Sequence, residues 1–441
     1  MYDAIIIGGG PSGLAAAAKI GQLGGKAALI EKSNMGGVCT NWGCIPTKAM
    51  VASAKLIHEL KFSENLGIIT NSKIDFDKVI KHRDKQILDS RKINKQILTS
   101  FGVKIIKGEG KIINKNTVEV KNKKYKTKNI VYCVGSRPSY PSFVNLSDKI
   151  LTSKQLVRIR KRPKRLVVIG GGVIGVEFAT IFSSLGSKVT IIEMADRLLF
   201  NEDKEIGQEL KKAYKKQGID VKLGKPFSKI DSKYVYISKD KIPYDKVLIA
   251  TGRRPILNEE MLKSISIKYD KHGIKVNSKM KTSIKNIYSI GDSTGKSILA
   301  HVGIRQGIVA ANNIMKKKDS MDYTVPRCVY SIPEVAAVGK TTNECKNPKT
   351  FTYELEHNPK YALDNHHNGF IKVILEKNKL VGFQMIGYNV SELITEATLI
   401  LRNNISPRKI MDTIHPHPTL GESIKFAVQM AYGELVEAPK K

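Results

Sequence analysis

Two glycine-rich turns constrain this chain more than any other feature of it. The run Asp3-Ala4-Ile5-Ile6-Ile7 leads into Gly8-Gly9-Gly10-Pro11-Ser12-Gly13 and an alanine-rich stretch to about Leu23. A second apolar run, Ala27 to Ile30, ends at Glu31, eighteen residues after Gly13. The pattern returns: Arg165 to Ile169, then Gly170-Gly171-Gly172-Val173-Ile174-Gly175, a helix to about Leu185, and Lys188 to Ile192 ending at Glu193, eighteen residues after Gly175. Strand, glycine turn, helix, strand and acid is the order of a βαβ nucleotide half. The glycines permit a tight turn and close approach of a pyrophosphate to the helix N-terminus, and the acid is placed to accept ribose hydroxyls. One such fingerprint is weak evidence. Two with the acid at the same offset predict two dinucleotide sites, one on Gly8, Gly10, Gly13 and Glu31, the other on Gly170, Gly172, Gly175 and Glu193.

Soon after the first half comes Gly36-Gly37-Val38-Cys39-Thr40-Asn41-Trp42-Gly43-Cys44-Ile45-Pro46-Thr47-Lys48. In an ideal α-helix, residues five apart have Cα atoms roughly 8.6 Å apart. A disulfide needs less, usually below about 7 Å. Cys39 and Cys44 therefore cannot bridge within an undistorted helix. Gly36, Gly37 and Gly43 can relax the backbone, and Pro46 removes one helical hydrogen bond. The residues predict a bent first turn carrying a reducible bridge, and such bridges tend to be catalytic. Lys48 lies one turn beyond Cys44, where a cation lowers a thiol pKa. Taken alone, these residues also fit two buried, inert cysteines.

The 441 residues suffice for two to four domains with real cores. Five scattered cysteines do not form a secreted disulfide framework. Asp3 comes almost at once and no basic, apolar leader opens the chain. The most apolar stretch, Leu166 to Phe182, is broken by glycines and Glu177, so it reads as strand–turn–helix rather than a membrane span. The expectation is a cytoplasmic protein with no membrane segment. The net charge of +34 points either to nucleic acid or an acidic partner, or to lysine on every solvated face. The lysines are spread along the chain, with no basic tail and no aromatic–basic interleaving, which favours the second reading and makes nucleic acid an unlikely partner.

Phe76 to Ser100 reads as a long, lysine-rich, solvated surface helix. Val103 to Val134 and Val221 to Ile249 look β-rich. Each ends in a small-residue turn, Cys133-Val134-Gly135-Ser136 and Ala250-Thr251-Gly252-Arg253. Ile287 to Ile290 is a strand running into Gly291-Asp292. Beyond about Tyr323, strands Gly369–Leu375 and Leu380–Ile386 precede a helix from Ser391 to Leu401, suggesting a separate α+β domain.

Together these residues resemble the flavin-dependent pyridine nucleotide–disulfide oxidoreductases. The resemblance covers essentially the whole chain and rests on GGGPSG, GGVCTNWGCIPTK, GGGVIGVEFA, ATGRRP, SIGDSTGKSILAH, VYSIPEVAAVG and HPHPTLGE, in the family's order. It implies an α/β fold with two Rossmann-like dinucleotide-binding domains, for FAD and NAD, and a C-terminal α+β dimerisation domain. The expected division is an FAD domain over 1–146, an NAD domain over 147–268, a segment completing the FAD domain over 269–322, and an interface domain over 323–441. It implies Gly8, Gly10, Gly13 and Glu31 at the adenosine half of FAD. Lys48, Ser136, Asp292, Leu299, Ala300 and His301 match flavin-lining positions, and Gly170, Gly172, Gly175, Glu193 and Gly252 match the NAD side. Cys39 matches the outer thiol that exchanges with substrate, and Cys44 the inner thiol facing the flavin. Lys48 and Glu177 match an ion pair where nicotinamide docks.

Near the C-terminus, Thr419-x-x-Glu422 fits a capping box, which would leave His417 a plain loop histidine. By resemblance, His417 matches the base that takes the substrate thiol proton, and Glu422 the carboxylate orienting it; His415 is the weaker candidate. In the family this pair reaches the disulfide of the other subunit, so a homodimer with a shared active site is implied. The implied reaction is oxidation of a dihydrolipoyl carrier, serving a 2-oxoacid dehydrogenase or glycine cleavage system, with reduction of NAD. A reductase of another disulfide is the alternative. No metal is expected. Glu193 favours NAD, whereas nearby Arg197 leaves NADP open. Gly421 stands where serine is common, and Cys133-Val134 where Ala-Thr is usual.

Overall fold

The structure, a computed structural model, describes residues 1–437; the last four residues of the expected interface domain lie outside the described residues. The apolar run near the N-terminus becomes the strand Tyr2–Ile7, with Ala4 to Ile7 fully buried. A strand buried on both faces is apolar without alternation and suits a parallel sheet covered by helices. Its sheet runs Lys104–Lys107, Ala27–Glu31, Tyr2–Ile7 and Lys123–Tyr132, all parallel neighbours. The late strand Ile287–Ser289 also pairs parallel with Lys123–Tyr132, returning the chain to this sheet. Thr117–Val120 and Lys111–Asn114 extend it as an antiparallel meander.

The second unit repeats the plan. Asp220–Lys222, Lys188–Ile192, Arg165–Ile169, Lys246–Ile249 and Ile150–Thr152 lie side by side and parallel. In both sheets the strand that enters the glycine turn is central. Its neighbours are the strand that follows it and the one that closes the half, so the strand order reverses beside it, the position where open α/β sheets hold ligands. A short antiparallel pair, Ser136–Pro138 with Arg253–Pro255, ties the two units together just beyond their closing strands. The last unit is a five-stranded antiparallel sheet, in the order Arg327–Val329, Glu334–Gly339, Lys379–Gly387, Phe370–Glu376 and Lys349–Glu354. The helices Val390–Arg402 and Glu422–Ala431 bury Ile394, Ala397, Ile424 and Phe426 in its core.

The helix expected over Phe76 to Ser100 forms with those bounds, opened by the Asp75 carboxylate accepting from the Lys78 N–H at 3.0 Å. It is less solvated than its lysines suggest. Ile80, Ile87 and Leu98 are buried, and so is Arg83, whose guanidinium donates to the Val157 carbonyl and to Asp84. A cation can be buried there because both partners satisfy its N–H groups. Among the described residues no helix is long and apolar enough to cross a membrane.

The two glycine turns divide their work identically. Gly8 and Gly170 hold φ of 118° and 110°, open to glycine and costly for other residues. A Cβ at Gly13 would run into the carbonyl oxygen of Gly8, and one at Gly175 into that of Gly170, far inside 3.0 Å. At Gly10 and Gly172 a Cβ would meet nothing within 4 Å. The third glycine of each turn therefore serves packing, whereas the middle one leaves open space. Gly13→Ala and Gly175→Ala should each cost roughly 3 kcal/mol or more of folding stability, because backbone must move to admit the methyl. Gly10→Ala and Gly172→Ala should fall within about 1 kcal/mol of the parent. Denaturant unfolding of the four variants checks this, and equal losses in all four would refute the division.

Candidate active site

The cysteine segment does not form one bent helix. A short helix, Gly37–Trp42, carries Cys39; Gly43 then takes φ −130° and ψ −113°, and a new helix, Cys44–Leu60, begins at Cys44. The break at Gly43 supplies the approach that a continuous helix denies: Cys39 and Cys44 come close enough for each thiol to shift the other. A Cβ at Gly43 would crowd the Val38 carbonyl and the Cys39 Cα. The short helix is held by Asn41, whose amide donates to the Gly37 and Met35 carbonyls at 2.7 and 3.1 Å and whose carbonyl accepts from Arg91 at 2.6 Å. Trp42 beside it lies under the Lys154 ammonium, 4.5 Å from the ring centroid.

The two thiols are not equivalent. Cys44 is drawn down to about 7, first by the hydrogen bond it receives from Cys39 and then by the Lys48 charge, against burial and Glu177. Cys39 is pushed up by donating that bond and by burial. The pair thus favours a Cys44 thiolate beside a Cys39 thiol.

Lys48, on the same helix as Cys44, reaches out of its own unit. Its ammonium donates to both Glu177 oxygens at 2.9 and 2.8 Å. Glu177 sits on the helix Val173–Ser184 that follows the second glycine turn, and it is buried. Its Oε1 also accepts the Tyr330 backbone N–H at 3.0 Å, while Lys48 lies 4.5 Å from the centroid of the Tyr330 ring. Tyr214 steadies that helix, its hydroxyl donating to the Val176 carbonyl at 2.7 Å.

Ser136 and Asp292 are brought together: the Ser136 hydroxyl donates to the Asp292 carboxylate. Arg253 completes the group, its guanidinium donating to Ser136 Oγ and to the Ser136 carbonyl, each at 2.9 Å. Gly252, just before it, has φ 128° with open space at its Cβ position. Leu299 caps the helix Ala300–Ile314, with no side chain on its first N–H groups. His301 Nε2 lies 2.9 Å from the Pro326 carbonyl. Sequence reasoning named neither Arg253 nor Tyr330 as site residues. Alternation along the short strand turns Arg253 inward and Arg254 to solvent, a signal too brief to read in advance. Tyr330 meets Lys48 and Glu177 only through the fold.

At the glycine turns both acids face their own backbone. Glu31 accepts from the N–H groups of Gly9 and Ser33 at 2.7 and 2.6 Å. Glu193 accepts from those of Gly171 and Ala195, the latter at 2.7 Å. A carboxylate has lone pairs beyond these two bonds for a ribose hydroxyl. Gly10 and Gly172 are the helix caps, and neither helix has a side-chain cap. Uncapped N–H groups, a helix dipole and open space at the middle glycine fit a pyrophosphate in both halves. Arg197 turns to the Phe200 carbonyl and Asp196, at 3.2 and 3.0 Å.

The capping box proposed at Thr419 does not form: the helix starts at Glu422 with Gly421 as its cap, and Thr419 Oγ1 donates instead to the Pro416 carbonyl. Only the Thr419 N–H to Glu422 bond of that motif is present, at 2.8 Å. The other Glu422 oxygen lies 3.0 Å from His417 Nδ1. His417 is 66 % exposed and Glu422 is buried, so a fixed acid holds an accessible imidazole whose Nε2 has no partner among the described residues. His415 has no free nitrogen: Nδ1 faces the Thr413 carbonyl and Nε2 the Glu396 carboxylate, both at 3.0 Å.

Comparison with known proteins bears on the whole chain. The family described as pyridine nucleotide-disulphide oxidoreductase matches residues 2–307, and its dimerisation domain matches residues 325–428. The dihydrolipoyl dehydrogenase of Mycoplasma pneumoniae is 35% identical, covering 96% of this chain and 97% of that protein. That of Geobacillus stearothermophilus is 36% identical over 98% and 96%. Among solved structures, the HOCl-induced flavoprotein disulfide reductase RclA from Escherichia coli superposes with a TM-score of 0.87 at 26% identity, covering 97% of this chain and 100% of that one. Two nucleotide-type glycine turns, a paired Cys39 and Cys44 and these matches lead to one conclusion: the chain belongs to the pyridine nucleotide-disulphide oxidoreductase family.

Proposed function

We propose that this chain oxidises a dihydrolipoyl group to its disulfide and reduces NAD, using Cys39 and Cys44 as a redox couple. The observation that carries the proposal is the pairing of Cys39 and Cys44 across the Gly43 break, one turn from the Lys48–Glu177 ion pair that joins the two nucleotide units. The full-length likeness to dihydrolipoyl dehydrogenases supports the choice of substrate.

His417 Nε2 takes the proton of one substrate thiol, with Glu422 fixing the Nδ1–H tautomer. The substrate thiolate attacks Cys39 Sγ of the oxidised couple. The Cys39–Cys44 bond breaks and Cys44 leaves as a thiolate, which its low pKa favours. The second substrate sulfur, its proton lost to solvent, attacks the first and releases the cyclic disulfide. Cys39 leaves and takes the proton held by His417, so the substrate has lost two electrons and the couple has gained them. When bound, FAD supplies the two-electron path from the dithiol to NAD. Gly8, Gly10, Gly13 and Glu31 would hold its adenosine half; Lys48, Ser136, Asp292, Leu299, Ala300 and His301 would line its ring. Gly170, Gly172, Gly175, Glu193 and Gly252 would hold NAD, and Lys48 with Glu177 would face the nicotinamide.

His417 stands exposed, and Ile414, three residues earlier on the same loop, is 93 % exposed. An apolar side chain that open on the loop of a base suits a surface covered in an assembly. We place the base of one subunit at the couple of another in a homodimer, with a lipoyl carrier protein as partner and the cytoplasm as location. The four-part division at 146, 268 and 322 belongs to the same proposal.

Purified FAD-loaded enzyme should reduce NAD with dihydrolipoamide. Cys44→Ser and His417→Gln should each lower kcat by at least about a hundredfold. Turnover of glutathione disulfide instead of lipoamide would select the alternative substrate. In the dithiol form, thiolate absorbance should appear with a midpoint at about 7 and grow as pH rises. Cys39→Ala and Lys48→Met should each raise that midpoint, because the partner thiol and the cation both favour the thiolate. A midpoint unmoved by both variants would remove the assigned causes.

A further inference from the structure

We infer that His415 is a positioning residue for His417, held by Glu396 and the Thr413 carbonyl and acting as the fixed point of the loop that carries the base. The inference rests on the reading of His417 as that base.

The loop joins the helix Pro407–Asp412 to the helix Glu422–Ala431. Two imidazoles stand two residues apart on it, in opposite circumstances. His417 is exposed, and among the described residues its ring has one partner, Glu422. The His415 side chain is only 10 % exposed, and both its nitrogens have partners at 3.0 Å.

Both ring nitrogens of His415 are engaged, Nδ1 by the Thr413 carbonyl and Nε2 by the Glu396 carboxylate, so neither is left to face a substrate thiol.

Its effect is mechanical. Glu396 lies on the helix Val390–Arg402, which packs on the interface sheet. The His415 ring thus pins the loop to a rigid element on one side of His417. On the other side, Glu422 and the bond from the Asn358 amide to the Thr419 carbonyl, 3.0 Å, pin it again. An exposed imidazole with a single hydrogen bond depends on its backbone for position, so freeing either side costs alignment with the sulfur.

The test uses the full-length FAD-loaded enzyme with His415→Leu, His415→Gln and Glu396→Gln. Two activities are followed: dihydrolipoamide oxidation, which needs His417, and NADH oxidation by ferricyanide, which does not. We expect His415→Leu and Glu396→Gln to lower kcat/KM for dihydrolipoamide by roughly tenfold or more, with ferricyanide turnover unchanged. His415→Gln, which keeps a donor toward Glu396, should recover part of the loss. Equal loss of both activities, no loss of either, or no recovery in His415→Gln would overturn the inference. A parent that oxidises NADH but not dihydrolipoamide would reject the dihydrolipoyl reading, and the inference with it.

Discussion

A buried carboxylate is the constraint around which this site is arranged. Glu177 lies under the surface on a helix of the second nucleotide unit, where an unpaired charge would cost several kcal/mol. Its compensation comes from elsewhere: Lys48 from the cysteine helix of the first unit, and the Tyr330 N–H from the edge of the third. All three parts of the chain therefore meet at one anion. The same Lys48 lowers the Cys44 thiol one turn upstream, so the contact that joins the units also brings a cation to the cysteines. Packing and reactivity are here a single electrostatic problem.

What the sequence made legible was mostly local. Glycine spacing is dictated by backbone geometry within a dozen residues, so both turns, their helices and the acids Glu31 and Glu193 could be read directly. The strand Lys188–Ile192 and the helix Phe76–Ser100 emerged with their expected bounds because apolar periodicity and a capping Asp75 act at short range. The cysteine segment was read as bent, and the bend proved to be a break at Gly43 between two helices, since ideal-helix distances say that something must yield but not where.

The rest depended on contacts between distant residues. Lys48 and Glu177 are 129 positions apart, and only resemblance paired them. Arg253 joins Ser136 across a two-stranded pair that neither segment announces alone. Arg83 sits in a lysine-rich run indistinguishable in pattern from its solvated neighbours, yet it is buried because the Val157 carbonyl happens to face it. At the C-terminal loop the local motif misled: Thr419 and Glu422 have capping-box spacing, but Glu422 begins the helix and spends its second oxygen on His417.

The exposure of His417 has a genetic consequence. If each base serves the cysteine couple of a neighbouring subunit, as proposed, a lesion at Cys44 and a lesion at His417 damage different halves of different sites. Two alleles, each inactive alone, would then complement when co-expressed. A mixed dimer holds one site with both defects and one with neither, so the intact site restores up to half the activity of the parent within that dimer.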